Sequence, residues 1–292
     1  MLPCHICGWP IEPRRDRWLA KDGYDLVRCP ACGVGMRVVL PEPAELSTIY
    51  APAYFRHEGQ TAVDGYADYL GDSGSHRETA RRRLALMAQF APPVGRLLDV
   101  GAAGGFFVAE AIASGWKAEG IDIADQMVRW GTAHLGVPLS VARLESVSRH
   151  GQYAAITMWD YIEHSIDPSG DIERSRELLK PGGLLAISTG DVEALVARVS
   201  GSRWHLLTPR HHNFYFGSST LSKLLEARGF TVLSRTHPGA RYSLAHLTYK
   251  LERMTRLPST RLLARRTASS QLGRIAVPFT LRDIVTVVAR AH

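Results

Sequence analysis

From residue 96 onward, short apolar runs alternate with stretches of helical spacing. The apolar runs predict strands at 97–100, 118–123, 139–141, 154–158, 184–188, 230–233 and 283–289. Helical spacing predicts helices at 106–112, around 127–130 and at 172–179. Alternating strands and helices are typical of βαβ units, so we predict an α/β fold with a seven-stranded, mostly parallel sheet. The last two strands are expected to form an antiparallel edge.

A different pattern precedes this region. Residues 45–90 have helical spacing, carry many aromatic side chains and lie between Pro41-Glu42-Pro43 and Pro92-Pro93. We therefore predict three parts: a small N-terminal unit at 1–40, a helical linker or cap at 41–92, and the α/β domain at 93–292. Within the α/β domain, residues 236–275 are expected to form a helical insert. This insert is expected to cover the acceptor site, the part of the active site that would hold the second substrate.

All four cysteines lie in the N-terminal unit, with the spacing C-x2-C-x21-C-x2-C. Two C-x2-C knuckles can complete a tetrahedral Zn(II) shell, which predicts a structural zinc ribbon with strands at 24–28 and 35–39. A redox pair and two disulfides are the alternatives. His5 lies inside the first knuckle, but four sulfur ligands already fill the shell. The predicted metal ligands are Cys4, Cys7, Cys29 and Cys32.

The composition is that of an ordinary globular protein, with 45% hydrophobic and 22% charged residues. The net charge of +7 favours anionic partners, yet no basic stretch is dense enough to predict nucleic-acid binding. No apolar run approaches the roughly 20 residues that span a bilayer, and the N-terminus lacks a signal-peptide pattern, so a cytoplasmic location is expected. A basic amphipathic helix within 243–266 is compatible with peripheral membrane contact, or with ordinary packing on its own domain.

The stretch DVGAAGG, residues 99–105, joins the first core strand to a helix. Glycine-rich turns of this kind bind the pyrophosphate of dinucleotides, but here Asp99 stands where a carboxylate would repel phosphate. A carboxylate at this position suits the ammonium group of S-adenosylmethionine (SAM). Asp122 ends the next strand, where it can accept hydrogen bonds from both ribose hydroxyls. The pair of acids therefore favours SAM over NAD.

Residues 97–123 resemble motif I of class I SAM-dependent methyltransferases, whose usual form is D-x-G-x-G-x-G; this chain departs from it at Ala103. Residues 159–191 and 212–230 are similar to later segments of the same family. The double-knuckle front resembles a group encoded with sugar, polysaccharide and secondary-metabolite pathways. The resemblance implies a Rossmann-like sheet whose last strand is antiparallel.

The resemblance also implies a cofactor site. The glycine turn would run close to the methionine part of SAM, and Leu144 would contact the adenine. Trp159 and Asp160 would border the same pocket. The predicted cofactor-binding residues are Asp99, Gly101, Ala103, Gly105, Asp122, Ile123, Leu144, Trp159 and Asp160.

The resemblance further implies transfer to a hydroxyl of a small molecule, sugar or lipid-linked glycan. A hydroxyl acceptor must lose a proton, and histidine is an apt base near neutral pH. His164 and His212 are the candidates, with structural hydrogen bonding as the alternative role for each. Two alternative functions remain: methylation of RNA, and a non-catalytic role as a binding or interaction module.

Overall fold

The computed structural model describes residues 1–42, 44–55, 69–255 and 257–292. Tyr66 and Arg256, which belong to the predicted linker and insert, lie outside these ranges. The strands are β1 (Leu2–Pro3), β2 (Pro10–Ile11), β3 (Arg17–Lys21), β4 (Tyr24–Arg28), β5 (Gly35–Arg37), β6 (Arg96–Val100), β7 (Lys117–Asp122), β8 (Leu139–Val141), β9 (Tyr153–Trp159), β10 (Leu179–Gly190), β11 (Phe214–Tyr215), β12 (Phe230–Thr236), β13 (Ala240–Ser243), β14 (Ala276–Phe279) and β15 (Ile284–Ala291).

Ten helices accompany these strands in the described ranges. None of them is long and apolar enough to cross a membrane. They are α1 (Leu46–Ile49), α2 (Pro52–Phe55), α3 (Ser73–Met87), α4 (Phe106–Ala113), α5 (Asp125–Leu135), α6 (Pro168–Leu178), α7 (Leu195–Ser200), α8 (Ser218–Ala227), α9 (Leu244–Thr255) and α10 (Pro258–Ala268).

The large sheet has seven strands in the order β12-β15-β10-β9-β6-β7-β8. The β10-β9-β6-β7-β8 neighbours pair in parallel, and β15 is antiparallel to both β10 and β12. The predicted fold class is confirmed. The last two strands do pair antiparallel, but β15 lies inside the sheet and β12 is the edge. Every residue of β9 is buried, as expected for a central strand covered by helices on both faces.

The N-terminal unit is continuous with the α/β domain. Strands β3, β4 and β5 form an antiparallel sheet whose fourth strand is β11, which lies about 180 residues later in the chain, within the α/β domain. Met36 of β5 pairs with Phe214 of β11, and both side chains are fully buried in one hydrophobic cluster. The Thr220 hydroxyl of α8 donates to the Cys32 carbonyl at 2.9 Å. The predicted boundary at residue 40 therefore separates segments that share a core.

The segment 236–275 contains helices α9 and α10, as predicted, and also β13, which pairs with β14 just beyond the segment. Its described side chains line a cavity of about 970 Å³ together with Lys21, Arg203 and Arg210. None of them lines the cleft described below, and the position of the segment over the acceptor site stays a prediction. The side chains of Lys250, Arg253 and Met254 lie outside the description.

Helix α5 packs against the glycine turn through Gly131. A Cβ added there would lie 2.5 Å from the Gly104 carbonyl oxygen and 2.6 Å from the Leu139 side chain. Gly131→Ala is therefore expected to lower the free energy of unfolding by about 1–3 kcal/mol, measured by urea denaturation. Gly74→Ala is the matched control, because nothing lies within 4 Å of its added Cβ in helix α3. Equal effects of the two substitutions would contradict the prediction.

Candidate active site

A cleft of about 440 Å³ opens at the carboxyl ends of β6, β7, β8 and β9. Ligands of open α/β sheets bind at this edge. Most of the residues predicted from sequence meet here. Those that line the cleft are Asp99, Gly101, Ala103, Asp122, Ile123, Leu144, Trp159, Asp160 and His164.

Two predicted residues do not line the cleft. Gly105 begins helix α4 with φ of +77°, and an added Cβ would lie 2.8 Å from Val137, so its role is backbone conformation and close packing. His212 lies behind His164, with the two ring centroids 4.7 Å apart.

Asp99 lies at the buried end of β6, with 3% of its surface exposed. Its Oδ1 accepts a hydrogen bond from the Thr157 hydroxyl at 2.6 Å. Burial raises the pKa of Asp99 to about 7, although the Thr157 hydrogen bond and the nearby Arg83 cation oppose the rise. Asp99 is therefore a buried acid that borders a cavity and whose charged form is only partly stabilised by the protein, and a cationic ligand would stabilise it further.

Asp122 holds the glycine turn in shape. Its Oδ2 accepts from the Ala103 N–H at 2.8 Å, and its Oδ1 accepts from the Ala124 N–H at 2.7 Å. Burial raises the pKa of Asp122, and these backbone hydrogen bonds oppose the rise. Each carboxylate oxygen keeps a second lone pair, so both can also accept from a ligand in the cleft.

Ala103 adopts a left-handed conformation, with φ of +45°. This is the position at which the family motif has glycine, so the backbone conformation is kept although the residue differs. Ala103→Gly is expected to bind SAM as the wild type does. Ala103→Val is expected to bind at least tenfold more weakly, because a β-branched residue is strained at positive φ and would tilt the N–H away from Asp122. Titration calorimetry on the two variants tests this, and equal affinities would refute it.

Sequence reasoning missed Arg83, which lies on α3. Its Nη2 contacts Asp160 Oδ2 at 2.7 Å and the Ser188 hydroxyl at 3.0 Å, and its guanidinium lies over the Trp159 ring. Asp160 itself has φ of +54°, which is unusual for a residue other than glycine. Nothing in the sequence around Arg83 indicates a role in the site, because α3 has the pattern of an ordinary polar helix.

An aromatic wall, also missed as part of the site, covers one side of the cleft. It comes from α1, α2, α3 and the residues beside them, which the sequence indicated only as a helical cap. The aromatic density of that segment was the available signal. The wall consists of Tyr50, Tyr54, Phe55, Tyr69 and His76.

The His164 imidazole lines the cleft and is oriented through Nδ1, which lies 2.9 Å from the His211 carbonyl oxygen and 2.9 Å from the Tyr50 hydroxyl. Because a carbonyl only accepts, Nδ1 carries the hydrogen and Nε2 keeps its lone pair. His212 Nδ1 likewise lies 2.9 Å from the Leu206 carbonyl oxygen. Burial lowers the pKa of both histidines, so both are neutral at pH 7.

The N-terminal unit helps to position both histidines. Arg37, which ends β5, donates from Nη1 to the Asn213 Oδ1 at 3.1 Å and from its backbone N–H to the Asn213 carbonyl at 3.0 Å. Asn213 Nδ2 in turn donates to the His164 carbonyl at 2.9 Å. A buried polar chain therefore runs from the cysteine-bearing unit to the wall of the cleft.

The four cysteines lie together and form no disulfide with one another. The Cys4 and Cys32 sulfurs are 3.7 Å apart, and the Cys7 and Cys29 sulfurs are 3.6 Å apart. Disulfide sulfurs would be about 2 Å apart. Four sulfurs at about 2.3 Å from a tetrahedral ion would be about 3.8 Å apart, close to the observed spacing.

The sequence is similar to that of known methyltransferases. The sequence model of a family described as "Methyltransferase domain" matches residues 74–235, more than half of the chain. The chain is similar to a "Ubiquinone biosynthesis O-methyltransferase" of Xanthomonas campestris pv. campestris (strain B100), with 36% identity over 110 residues. A protein of the same description from Shewanella halifaxensis is 26% identical over 155 residues. These alignments cover 35% and 45% of this chain, and 46% and 61% of those proteins.

Solved structures share the fold at low sequence identity. A protein from Pyrococcus horikoshii OT3 has a TM-score of 0.52 and 14% identity, over 85% of this chain and 99% of that one. A SAM-dependent methyltransferase from Thermotoga maritima has a TM-score of 0.50 and 16% identity, over 77% of this chain and 95% of that one.

Proposed function

Because the chain belongs to this methyltransferase domain family, we propose that it is a SAM-dependent methyltransferase that methylates a hydroxyl group. The observation that carries the proposal is the meeting of Asp99, Asp122 and the glycine turn in one cleft. An acid that is buried at the base of the cleft and an acid that faces it from the next strand suit a ligand with an ammonium group and a ribose.

The cleft has a complementary group for each part of the cofactor. The Asp99 carboxylate would pair with the methionine ammonium, and Asp122 would accept from the ribose hydroxyls. The loop after β8 brings Leu144, which is 1% exposed, to the cleft as an apolar contact for the adenine. Trp159 and Asp160, joined to Arg83, would border the methionine end.

The acceptor would be a hydroxylated small molecule with a ring-shaped body, because the aromatic wall provides faces on which a ring can stack. A sugar or lipid-linked glycan fits that description, and so does an aromatic ring; the curated relatives are named for O-methylation in ubiquinone biosynthesis. Alignment of the acceptor oxygen with the sulfonium methyl group would itself supply about 7–11 kcal/mol of the rate enhancement.

In the transfer, the acceptor oxygen would bond to the methyl carbon while the carbon–sulfur electron pair stays on sulfur. The acceptor proton would go to Nε2 of His164, the ring nitrogen left free when Nδ1 donates to the His211 carbonyl. His164 is the histidine of the predicted pair that borders the cleft, and His212 packs behind it.

The cysteine site is proposed to bind one structural Zn(II) through Cys4, Cys7, Cys29 and Cys32. The sulfur spacing supports a tetrahedral ion, and four sulfur ligands leave no position open for catalysis. The ion would hold the two C-x2-C knuckles together. The position of β5, and of β11 that pairs with it, would depend on those knuckles.

Peripheral membrane contact through 243–266 is a further proposal, relevant if the acceptor is lipid-linked. Leu251, Leu257, Leu262 and Leu263 are exposed there, beside the basic Arg265. Co-sedimentation with anionic vesicles would show the contact, and Leu262→Ser should weaken it.

Titration calorimetry tests the cofactor assignment directly. SAM and S-adenosylhomocysteine are expected to bind, and NAD is expected not to bind. Asp122→Asn should weaken both adenosyl ligands by at least about tenfold, because the ribose hydroxyls lose a charged acceptor and one of the two backbone N–H groups of the turn loses its acceptor oxygen. Binding of NAD with no response to SAM would overturn the proposed function.

A further inference from the structure

The second cavity, of about 970 Å³, has no lining residue in common with the cleft. Three parts of the chain surround it: the β3–β4 hairpin, residues 203–210, and the helices α9 and α10. We propose that this cavity binds a phosphorylated small molecule through its phosphate or diphosphate group. The inference goes beyond the proposed function and does not depend on it.

The cavity has an excess of positive charge. Five basic and two acidic side chains line it, which leaves a surplus of three positive charges. One of the two acids, Glu252, is already paired with Arg261 at 3.2 Å. Cations that converge on one cavity repel one another, so a bound anion would stabilise the arrangement. The basic residues are Lys21, Arg203, Arg210, Arg261 and Arg265.

Two of these arginines have side chains that no described residue uses. The guanidinium groups of Arg203 and Arg265 make no ion pair or hydrogen bond with any residue that the structure describes. The planar guanidinium fork matches two oxygens of a phosphate group, so arginine suits phosphate better than a point charge does. The Thr208 hydroxyl, which also lines the cavity, adds a neutral donor. These groups lie on two walls of one cavity and can act on the same ligand.

Contacts between the surrounding segments hold the walls in place. The Lys21 ammonium donates to the Leu207 carbonyl at 2.5 Å, which joins the hairpin to residues 203–210. Trp204 is 2% exposed and donates from Nε1 to the Asp283 Oδ2 at 2.9 Å, which anchors the same residues beside β15. The ion pair between Arg261 and Glu252 joins α10 to α9. A ligand would therefore enter a preformed cavity and would lose little affinity to ordering its walls.

The size and the lining of the cavity favour a small molecule over a macromolecule. Small-molecule sites measure about 300–1,000 Å³, so this cavity can hold an organic body in addition to a phosphate group. Trp204, Leu257 and Leu262 provide apolar lining for such a body. A phosphate monoester carries about −1.5 to −2 charge at pH 7, which matches the surplus better than a carboxylate does. Nucleic-acid surfaces carry extended basic grooves with interleaved aromatic residues, whereas these cations converge on one concave site.

Residues 203–210 lead directly into the segment that orients His164. The Thr208 carbonyl accepts from the His211 and His212 N–H groups, at 2.9 Å in both cases. The His211 carbonyl lies 2.9 Å from Nδ1 of His164, which lines the cleft. A ligand in the second cavity would therefore stabilise a segment that also supports the cleft.

Titration calorimetry of the full chain with inorganic pyrophosphate, in about 0.15 M NaCl, tests the site. The wild type is expected to bind with a Kd of about 1 mM or lower. A double variant with Arg203→Gln and Arg265→Gln should bind at least about tenfold more weakly, because it loses charged hydrogen bonds to phosphate. The matched control combines Arg198→Gln and Arg266→Gln, which remove the same charge from α7 and α10 at positions that do not line the cavity. This control should bind as the wild type does.

A wild-type protein that does not bind pyrophosphate, or equal weakening in the two double variants, overturns the site. An RNA oligonucleotide that binds more tightly than pyrophosphate and is weakened equally by both double variants overturns it as well, because the positive charge would then act diffusely. SAM affinity is measured on the same proteins and should not change. Failure of SAM to bind would overturn the proposed function, while the pyrophosphate titration still decides this site.

Vesicles of phosphatidylcholine and phosphatidylglycerol identify the source of the phosphate group. Vesicles that compete with pyrophosphate, and that bind the cavity variant more weakly than the control variant, support a phosphate site whose ligand is a lipid headgroup. Vesicles that do not compete support a site for a soluble phosphorylated molecule.

Discussion

Cys29→Ser is expected to abolish binding of the proposed structural zinc and to unfold the N-terminal unit. Cys29 is 1% exposed, and its sulfur lies 3.6 Å from that of Cys7. Structural zinc sites in small domains contribute about 10–16 kcal/mol of folding free energy, which is as large as the whole stability of a typical domain. Because β5 pairs with β11, we expect the loss to reach the α/β domain.

Zinc content by atomic emission and thermal unfolding by circular dichroism measure the effect. We expect an insoluble protein or a Tm lower by at least 10 °C. His5→Ala is the matched control, since His5 lies in the same knuckle, is exposed and is not a predicted ligand. A Cys29→Ser protein that keeps its zinc and its Tm would refute the assignment.

Asp99→Asn is expected to weaken SAM binding by about 10- to 100-fold. Hydrogen bonds to charged groups contribute about 1.5–3 kcal/mol, and each 1.4 kcal/mol is a factor of ten in affinity. Asparagine has nearly the same shape and can still accept from the Thr157 hydroxyl, so the variant removes the charge and keeps the contact. Thr157→Val is a useful companion, because it alters the same contact and leaves the carboxylate in place.

The pH dependence gives a sharper test of Asp99. Its pKa is raised to about 7, so SAM affinity should rise about tenfold per pH unit below 7, as the carboxyl loses its proton, and then level off. Stability without SAM should change in the opposite direction. A carboxyl whose folded pKa exceeds its unfolded value stabilises most below the unfolded pKa of about 4, and that contribution is lost as pH rises to about 7.

Asp99→Asn should therefore remove the pH dependence of SAM binding below pH 7. At pH 8 it should also unfold at higher urea concentration than the wild type in the absence of SAM. Calorimetry and urea denaturation between pH 5.5 and 8 provide both readouts. A variant with the wild-type pH profile would show that another group titrates.

A short chain of hydrogen bonds joins the cysteine-bearing unit to the wall of the cleft. Arg37 contacts Asn213, Asn213 contacts the His164 carbonyl, and His212 is the residue just before Asn213. In this arrangement the cysteine-bearing unit braces the segment that presents His164 to the cleft. The proposed structural zinc would therefore act on the cleft through these contacts.

Much of the architecture could be predicted from local pattern. The strand and helix periods, the turn 99–105 and the two acids at strand ends are features of neighbouring residues, and the parallel sheet brings strand ends together without further information. The clustering of the four cysteines was also predictable, because two C-x2-C knuckles have the spacing of a four-sulfur site. Asp99, Asp122 and the glycine turn came from such local signals, whereas Leu144, Trp159, Asp160 and His164 came from the family resemblance.

The contacts between distant segments were decided only by the tertiary structure. Arg83 reaches Asp160 across 77 positions of the chain, and Phe214 pairs with Met36 across a still longer interval. The sequence pattern of a polar helix or of a two-residue strand does not indicate which distant residue each side chain will contact. Such contacts depend on how whole helices and strands pack against one another. The sequence by itself determined the sheet, the turn and the acids that face it. Only packing brought α3 to the cleft and joined the cysteine-bearing unit to the segments that hold His164 and His212.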